Sequence, residues 1–366
     1  MKVELITLHR VTNLGSLLQT YASQLVLREK GFVVEVIDFV PEGLQFRRAL
    51  WPKGANPIKC ILKIIPNLFV NIVQYSMVDR FLRENVTLTK RRYRCFKDLL
   101  LDTPIADIYV SGSDQLWNTQ NNNPDEDLQA YYLQFVPNGK RRIALAGSFG
   151  RYDFNDKEKL NIKKWLSDYD AISVREIQGV QFITSLGMQN AVHILDPTLL
   201  LTGDEWRKFI KPKNPKFRYI LVYNLNRNKI VETIAKKISK NKKIRIVNFA
   251  DTFEFIAGAK NRIYNTPKDL VYYINYADYV ITDSFHGTAF SINLNTPFFS
   301  VPAPRFNSRI ESILEATGLK NDRYVECVED ALKNIDKIID WDNVNYCLLK
   351  EREKSQKYLE GALHGK

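Results

Sequence analysis

From its first residues the chain alternates short apolar runs with amphipathic runs of helical period. VELITL (3–8) gives way to a polar turn, then to SLLQTYASQLVLREKG (16–31), which closes on Gly31, then to FVVEVIDF (32–39). Strand, helix and strand in that order make a βαβ unit, and its repetition predicts α/β layers around parallel sheets. IADIYVSG (105–112), RRIALAGSFG (141–150), DAISVRE (170–176) and VHILDPTLLL (192–201) continue the first set, with helices expected over 156–167 and 177–186. RYILVYNL (218–225), KKIRIVNF (242–249), DYVITDS (278–284) and PFFSVP (297–302) form a second set, with helices over 229–240, 267–275 and 287–293. A chain of 366 residues has length for two domains. The expectation is two Rossmann-like domains facing a cleft. The first is 1–202, with a basic helical insertion at about 43–97; a linker, 203–217, leads to a second domain, 218–325. The last residues, 326–366, form a helical tail that packs back on the N-terminal domain.

Apolar residues at 45% and charged ones at 26% exclude a disordered or fibrous chain. The net charge is +12, yet residues 46–97 hold twelve Lys or Arg against Asp79 and Glu84, so +10 lies there and +2 in the rest. One local basic surface argues against a nucleic-acid binder. Leu50, Trp51, Ile61 and Ile64 interleave with those cations. Basic and apolar residues on short helices suit an element lying on an anionic bilayer; a hairpin that packs its apolar face on its own domain, lysines to water, suits them equally. The longest apolar stretch, 60–78, is broken by Lys63, Pro66, Asn67, Asn71 and Gln74, short of the ~20 apolar residues of a spanning helix. MKVELITLHR reads as a strand rather than a signal peptide, so a cytoplasmic protein is expected, peripheral at the inner face of the plasma membrane if the basic segment binds lipid. Cys60, Cys95, Cys327 and Cys347 form no C-x-x-C pair and read as reduced thiols, with no metal site.

In open parallel sheets ligands bind at the carboxyl ends of strands, so the loops there hold the candidates. Asn13, Gly15 and Ser16 lie between the first strand and its helix, where free N–H groups favour a phosphate or carboxylate; a turn glycine and a serine N-cap explain them equally. His9 closes the same strand. Ser111, Ser113 and Asp114 line a small-residue turn, and Trp117 and Asn118 supply a flat apolar surface and an amide suited to a sugar ring. Arg175 ends another strand, where it pairs with a ligand anion or with a neighbouring acid such as Glu176. In YVITDSFHGTAFS, Asp283 and Ser284 follow a strand and Gly287 opens a helix, so His286 stands at a helix N-terminus as a general acid or an anion ligand. Arg309 follows as a further anion contact. Asp125 and Asp127 form a D-x-D in what reads as an exposed loop.

With NLGSLLQTYA, VSGSDQLWN, ALAGSFG, SVRE, LDPTLLL and ITDSFHGTAFSI in order, the chain resembles the polysaccharide pyruvyl transferase family over residues 3–320. That resemblance implies two Rossmann-like domains similar to the GT-B glycosyltransferase architecture, and transfer of the pyruvyl group of phosphoenolpyruvate to a sugar as a ketal, with no metal or cofactor. It implies donor binding by Asn13, Gly15, Ser16, Arg175, Ser284, His286, Gly287 and Arg309, and a general acid among His286, Asp114 and Asp283. His9, Ser111, Ser113, Trp117 and Asn118 would bind an acceptor sugar, in such pathways one on a polyprenyl diphosphate. The sequence departs from the family pattern in carrying Ser284 two residues before the motif histidine, where better-known members have Arg; Arg175 or Arg309 then supplies the charge, or the donor differs. Two other functions fit the same architecture: a glycosyltransferase using a nucleotide sugar, with Asp283 or Glu311 on the ribose, and a non-catalytic glycan-binding module at the membrane surface.

Overall fold

A computed structural model describes residues 1–41, 57–119, 125–210, 214–250, 255–305 and 307–365, with backbone alone for 57–69 and 125. Met1–Leu200 with Lys354–Lys366 form one compact unit and Leu201–Glu353 the other.

The first unit holds seven strands among the described residues: β1 (Lys2–Ile6), β2 (Val33–Phe39), β3 (Leu88–Tyr93), β4 (Ile108–Ser111), β5 (Arg141–Gly147), β6 (Ala171–Val174) and β7 (Ala191–His193). They pair in parallel in the order β3-β2-β1-β4-β5-β6-β7, so the chain reverses direction across the sheet between β1 and β4. Strands buried on both faces need continuous apolar runs, which is what VELITL and IADIYV supply. One core is built on aromatics: Trp117 is wholly buried, stacks on Tyr132 at 5.3 Å between centroids and meets Phe149 at 5.0 Å. Gly147 has no side chain because one would not fit; a Cβ there would lie 2.6 Å from the Trp117 ring.

The basic segment takes a form different from the short helices expected. Pro57–Asn85 is a single helix of 29 residues, and Val70, Val78, Phe81 and Leu82 on it are buried. Beyond it, Lys90, Arg91 and Arg92 fall on β3, the edge of the sheet, where charge discourages pairing with another chain. Arg92 donates to Asp38 at 2.9 Å and Arg91 to Asp102 at 2.6 Å. Arg47, Arg48 and Lys53 lie outside the described residues. Among the described residues no helix is long and apolar enough to cross a membrane.

The second unit repeats the plan with β8 (Tyr219–Tyr223), β9 (Arg245–Phe249), β10 (Lys260–Arg262), β11 (Tyr279–Thr282) and β12 (Phe298–Ser300), all parallel in the order β10-β9-β8-β11-β12. Its reversal falls between β8 and β11. The stretch expected as a linker contributes a helix, Gly203–Ile210, because Trp206 is apolar enough to anchor it: the indole is wholly buried, edge-on to Phe290 at 4.9 Å. Of the expected tail, 326–353 belongs to this unit. The remainder returns to the first, where Tyr358 donates its hydroxyl proton to the Ala144 carbonyl at 2.8 Å.

Candidate active site

In the first unit the crevice of a doubly wound sheet opens where β1 and β4 part. Asn13, not Ser16, caps the helix Leu14–Glu29: its Oδ1 accepts from the backbone N–H of Gly15 at 2.9 Å and of Ser16 at 3.4 Å. Two of the N–H groups expected to hold a donor anion are thus satisfied from within. The Ser16 hydroxyl donates instead to the Asp114 carboxylate. Asp114 follows β4 with φ at +73°, a left-handed conformation that costs a residue other than glycine about 1–3 kcal/mol. Its backbone forms a bridge to Gly147, which helps hold that conformation.

Arg175 is enclosed by acids. Its side chain is wholly buried and donates to Asp196 at 2.8 Å, Asp114 at 3.2 Å and Glu176 at 3.4 Å. Burial alone would lower the affinity of the guanidinium for its proton; the carboxylates of Asp114, Asp196 and Glu176 outweigh burial and hold it charged. An arginine with three carboxylates around it has no charge left over for a ligand phosphate, so the structural pairing weighed from sequence is the one formed. Ser113 joins the cluster by donating to Asp196 at 3.0 Å, Ser148 by donating to Glu176 at 2.5 Å, and Thr198 by donating to Asp196 at 2.7 Å. Glu176 is the neighbouring acid expected from sequence, whereas Asp196 and Ser148 are not singled out there; each stands just past the end of a strand, which is the signal that could have found them.

The residues expected to meet a sugar are all buried. Trp117 is sealed in the core, its indole N–H donating to the Tyr131 carbonyl at 3.2 Å, so it offers no platform. Ser111 is equally buried and donates to the same carbonyl at 2.7 Å. Asn118 donates to Gln115 at 3.1 Å. His9 is buried against Asp38, Nε2 to Oδ1 at 3.0 Å, and Nδ1 faces the Thr7 carbonyl at 3.0 Å. Burial pushes the Asp38 carboxyl up, but hydrogen bonds from His9 and Arg10 override it and keep the group far below the usual carboxylate range. Arg10 also pairs with Asp79 on the helix Pro57–Asn85, tying the loop after β1 to that helix.

In the second unit the reversal point is built by Asp283, whose carboxylate accepts from the backbone N–H of Leu225 at 2.7 Å, of Asn226 at 3.0 Å, and from the Asn226 side chain at 2.9 Å. These bonds strap the loop after β8 to the end of β11. Burial nonetheless raises the carboxyl above its ordinary value, the three donors only partly opposing it. The helix starts two residues earlier than expected, running Phe285–Asn293, so His286 lies inside its first turn and is buried. Ser284 is the N-cap, its hydroxyl accepting from the Gly287 N–H at 3.4 Å. Gly287 is obligatory here: a Cβ would stand 2.4 Å from Thr282 Oγ1. Phe285 links the two candidate anion contacts, its ring 5.1 Å from the His286 ring and 5.8 Å from the Arg309 guanidinium. Asn307 fixes the turn before Arg309 by a reciprocal pair of bonds to the Ala303 backbone, at 2.8 and 2.9 Å. Asp127 of the D-x-D accepts from the Phe96 N–H at 2.8 Å, and the Asp125 side chain is outside the described residues. Among the described residues no three His, Cys, Asp or Glu gather as metal ligands.

The sequence model of one family, polysaccharide pyruvyl transferase, matches residues 13–302, a span that includes both reversal points. The chain belongs to the polysaccharide pyruvyl transferase family. Within the matched span of this family member lie Asn13, Asp114, Arg175, Asp283 and His286; His9 and Arg309 fall just outside it. No curated protein matches the chain. Among solved structures it is similar to the UDP-N-acetylglucosamine 2-epimerase of Rickettsia bellii, at 12% identity and TM-score 0.52, over 99% of this chain and 96% of that one. The epimerase of Methanocaldococcus jannaschii aligns at 12% identity and TM-score 0.53, over 93% of each chain. At that identity the likeness establishes the fold: two Rossmann-like units of GT-B type, the class expected from the strand pattern.

Proposed function

We propose that this pyruvyl transferase family member moves the pyruvyl group of phosphoenolpyruvate onto two hydroxyls of one sugar, with a polysaccharide or its lipid-linked precursor as acceptor. The observation that carries the reading is the family match over 13–302 together with the chemistry at the two reversal points within it. Those points differ in charge. The first gathers Asp114, Glu176 and Asp196 around Arg175, an acidic cluster that repels a donor bearing phosphate and carboxylate but accepts hydrogen bonds from sugar hydroxyls. The second offers His286 in the first turn of a helix and Arg309 across the Phe285 ring, both suited to an anion.

On this reading His286 protonates the methylene carbon of the donor, and C2 becomes cationic as the double bond is consumed. One sugar hydroxyl attacks C2 and returns a proton to His286. A second hydroxyl attacks the same carbon, inorganic phosphate leaves, and the second hydroxyl proton leaves with it. Two hydroxyl protons account for the new methyl hydrogen and the phosphate proton, so the sum needs no redox partner. Asp114 accepts a hydrogen bond from an acceptor hydroxyl, and Arg175 with the bridge to Gly147 holds it in its strained conformation. Asp283, strapped to Leu225 and Asn226, shapes the donor loop rather than moving the proton. The test is turnover in His286→Ala: loss of ketal formation with unaltered circular dichroism supports the assignment, and retained turnover removes it.

A further inference from the structure

The first unit contains a cavity of about 430 Å3 beneath the last helix, Trp341–His364, in its stretch after Lys354. Small-molecule sites occupy roughly 300–1,000 Å3, so the space is sufficient for one. The cavity is bounded by Arg141 and Ala171, the first residues of β5 and β6, and by Val192 of β7. The crevice described above opens past Gly147, at the other end of β5; six residues of strand separate the two by roughly 20 Å. This cavity is therefore no part of the reversal-point site.

Its charge is one-sided. Arg141, Lys354 and Lys357 line it against a single acid, Asp170, whose carboxylate already accepts from the Arg142 N–H at 2.8 Å. Arg141 is the informative member. It is half-buried, its Nε is buried with no hydrogen-bond partner, and among the described residues neither it nor Lys357 forms an ion pair. A buried guanidinium nitrogen costs free energy until something accepts its hydrogen. Apart from His193, the remaining wall is largely apolar, from Ala171, Val192, Ile194 and Ala362, while Tyr358 spends its hydroxyl on the Ala144 carbonyl. Cations at one side of an apolar chamber recognise a molecule with the reverse character.

We propose that this cavity is a second small-molecule site that takes an organic anion, a phosphate or carboxylate carried on an apolar body, with Arg141 and Lys357 meeting the charge and Val192 and Ala362 the body. Because the last helix forms one wall, occupancy couples to the seating of that helix on β5 to β7.

Titration calorimetry of the full chain with phenyl phosphate, phenylpropionate and the neutral benzyl alcohol tests this. Either anion binds, benzyl alcohol binds at least about ten-fold more weakly, and Arg141→Gln/Lys357→Gln weakens the anion at least about ten-fold. Val192 is 39% exposed, so Val192→Trp can narrow the cavity without disturbing the core, and it too weakens binding. His286→Ala leaves binding intact, which separates this cavity from the donor site. Absence of binding by both anions at millimolar concentration, equal binding of benzyl alcohol, or affinity unchanged in both cavity variants overturns the proposal.

Discussion

The Asp114 carboxylate accepts from the Arg175 guanidinium at 3.2 Å while its own backbone stands at φ +73°, so a strained turn and a buried charge stabilise each other at the point where the first sheet reverses. Arg175 in turn is shared with Asp196 and Glu176, all four residues buried. Removing the arginine takes away a buried guanidinium that all three acids share.

Arg175→Met is therefore expected to lower unfolding free energy by about 3–5 kcal/mol, the cost of stranding buried charge. Urea denaturation at neutral pH measures it, and a loss below about 1 kcal/mol would mean the cluster relaxes without its cation.

The Ser16 hydroxyl donates to Asp114 in that same crevice. If the crevice holds the acceptor, Ser16→Ala raises the acceptor KM about 10-fold or more, the worth of a hydrogen bond to a charged group, and leaves the phosphoenolpyruvate KM unchanged. An effect on the donor KM alone would reassign the two reversal points.

Glu4 supplies a pH signature independent of catalysis. It lies wholly buried on β1 beside Lys2 at 2.9 Å, and burial, outweighing the lysine, pushes its carboxyl up to about 7. The folded state then binds the proton more tightly than the unfolded chain. The stability it contributes is complete below the ordinary glutamate range and disappears as pH rises through 7, a change of about 3 kcal/mol. Glu4→Gln should flatten the stability profile between these limits; an unaltered slope would exclude Glu4 as its source.

Gly147→Ala inserts a methyl 2.6 Å from the Trp117 ring and should destabilise by about 1–3 kcal/mol with a shift in tryptophan emission. Thermal unfolding followed by fluorescence reads both at once.

The strand and helix alternation was legible because buried parallel strands require apolar runs such as VELITL and YVITD, and both sheets followed from it. Helix ends were less so: Asn13 displaced Ser16 as cap, and the helix carrying His286 began at Phe285, because caps are decided by which side chain reaches a free N–H. The linker reading failed on Trp206, a single aromatic that anchors an otherwise polar helix. Trp117 beside Asn118 looked like a sugar platform, yet a ring facing the core and one facing solvent are the same letter. Arg175 was legible as a strand-end cation, but which acids surround it depends on contacts up to 61 residues away.

Phosphoenolpyruvate at 100 times its Kd should stabilise the fold by about 2.7 kcal/mol, and UDP-hexoses by nothing. A melting temperature raised by UDP-hexoses alone would move the account to glycosyl transfer.

The most direct test is to incubate the purified chain with phosphoenolpyruvate and a panel of free, nitrophenyl and lipid-linked sugars, following inorganic phosphate and the mass of the acceptor together. Phosphate release is expected only with a competent acceptor, in equal amount to a product carrying one cyclic pyruvate ketal. Phosphate release without a ketal, or a hexose added from UDP-hexose in its place, would contradict it.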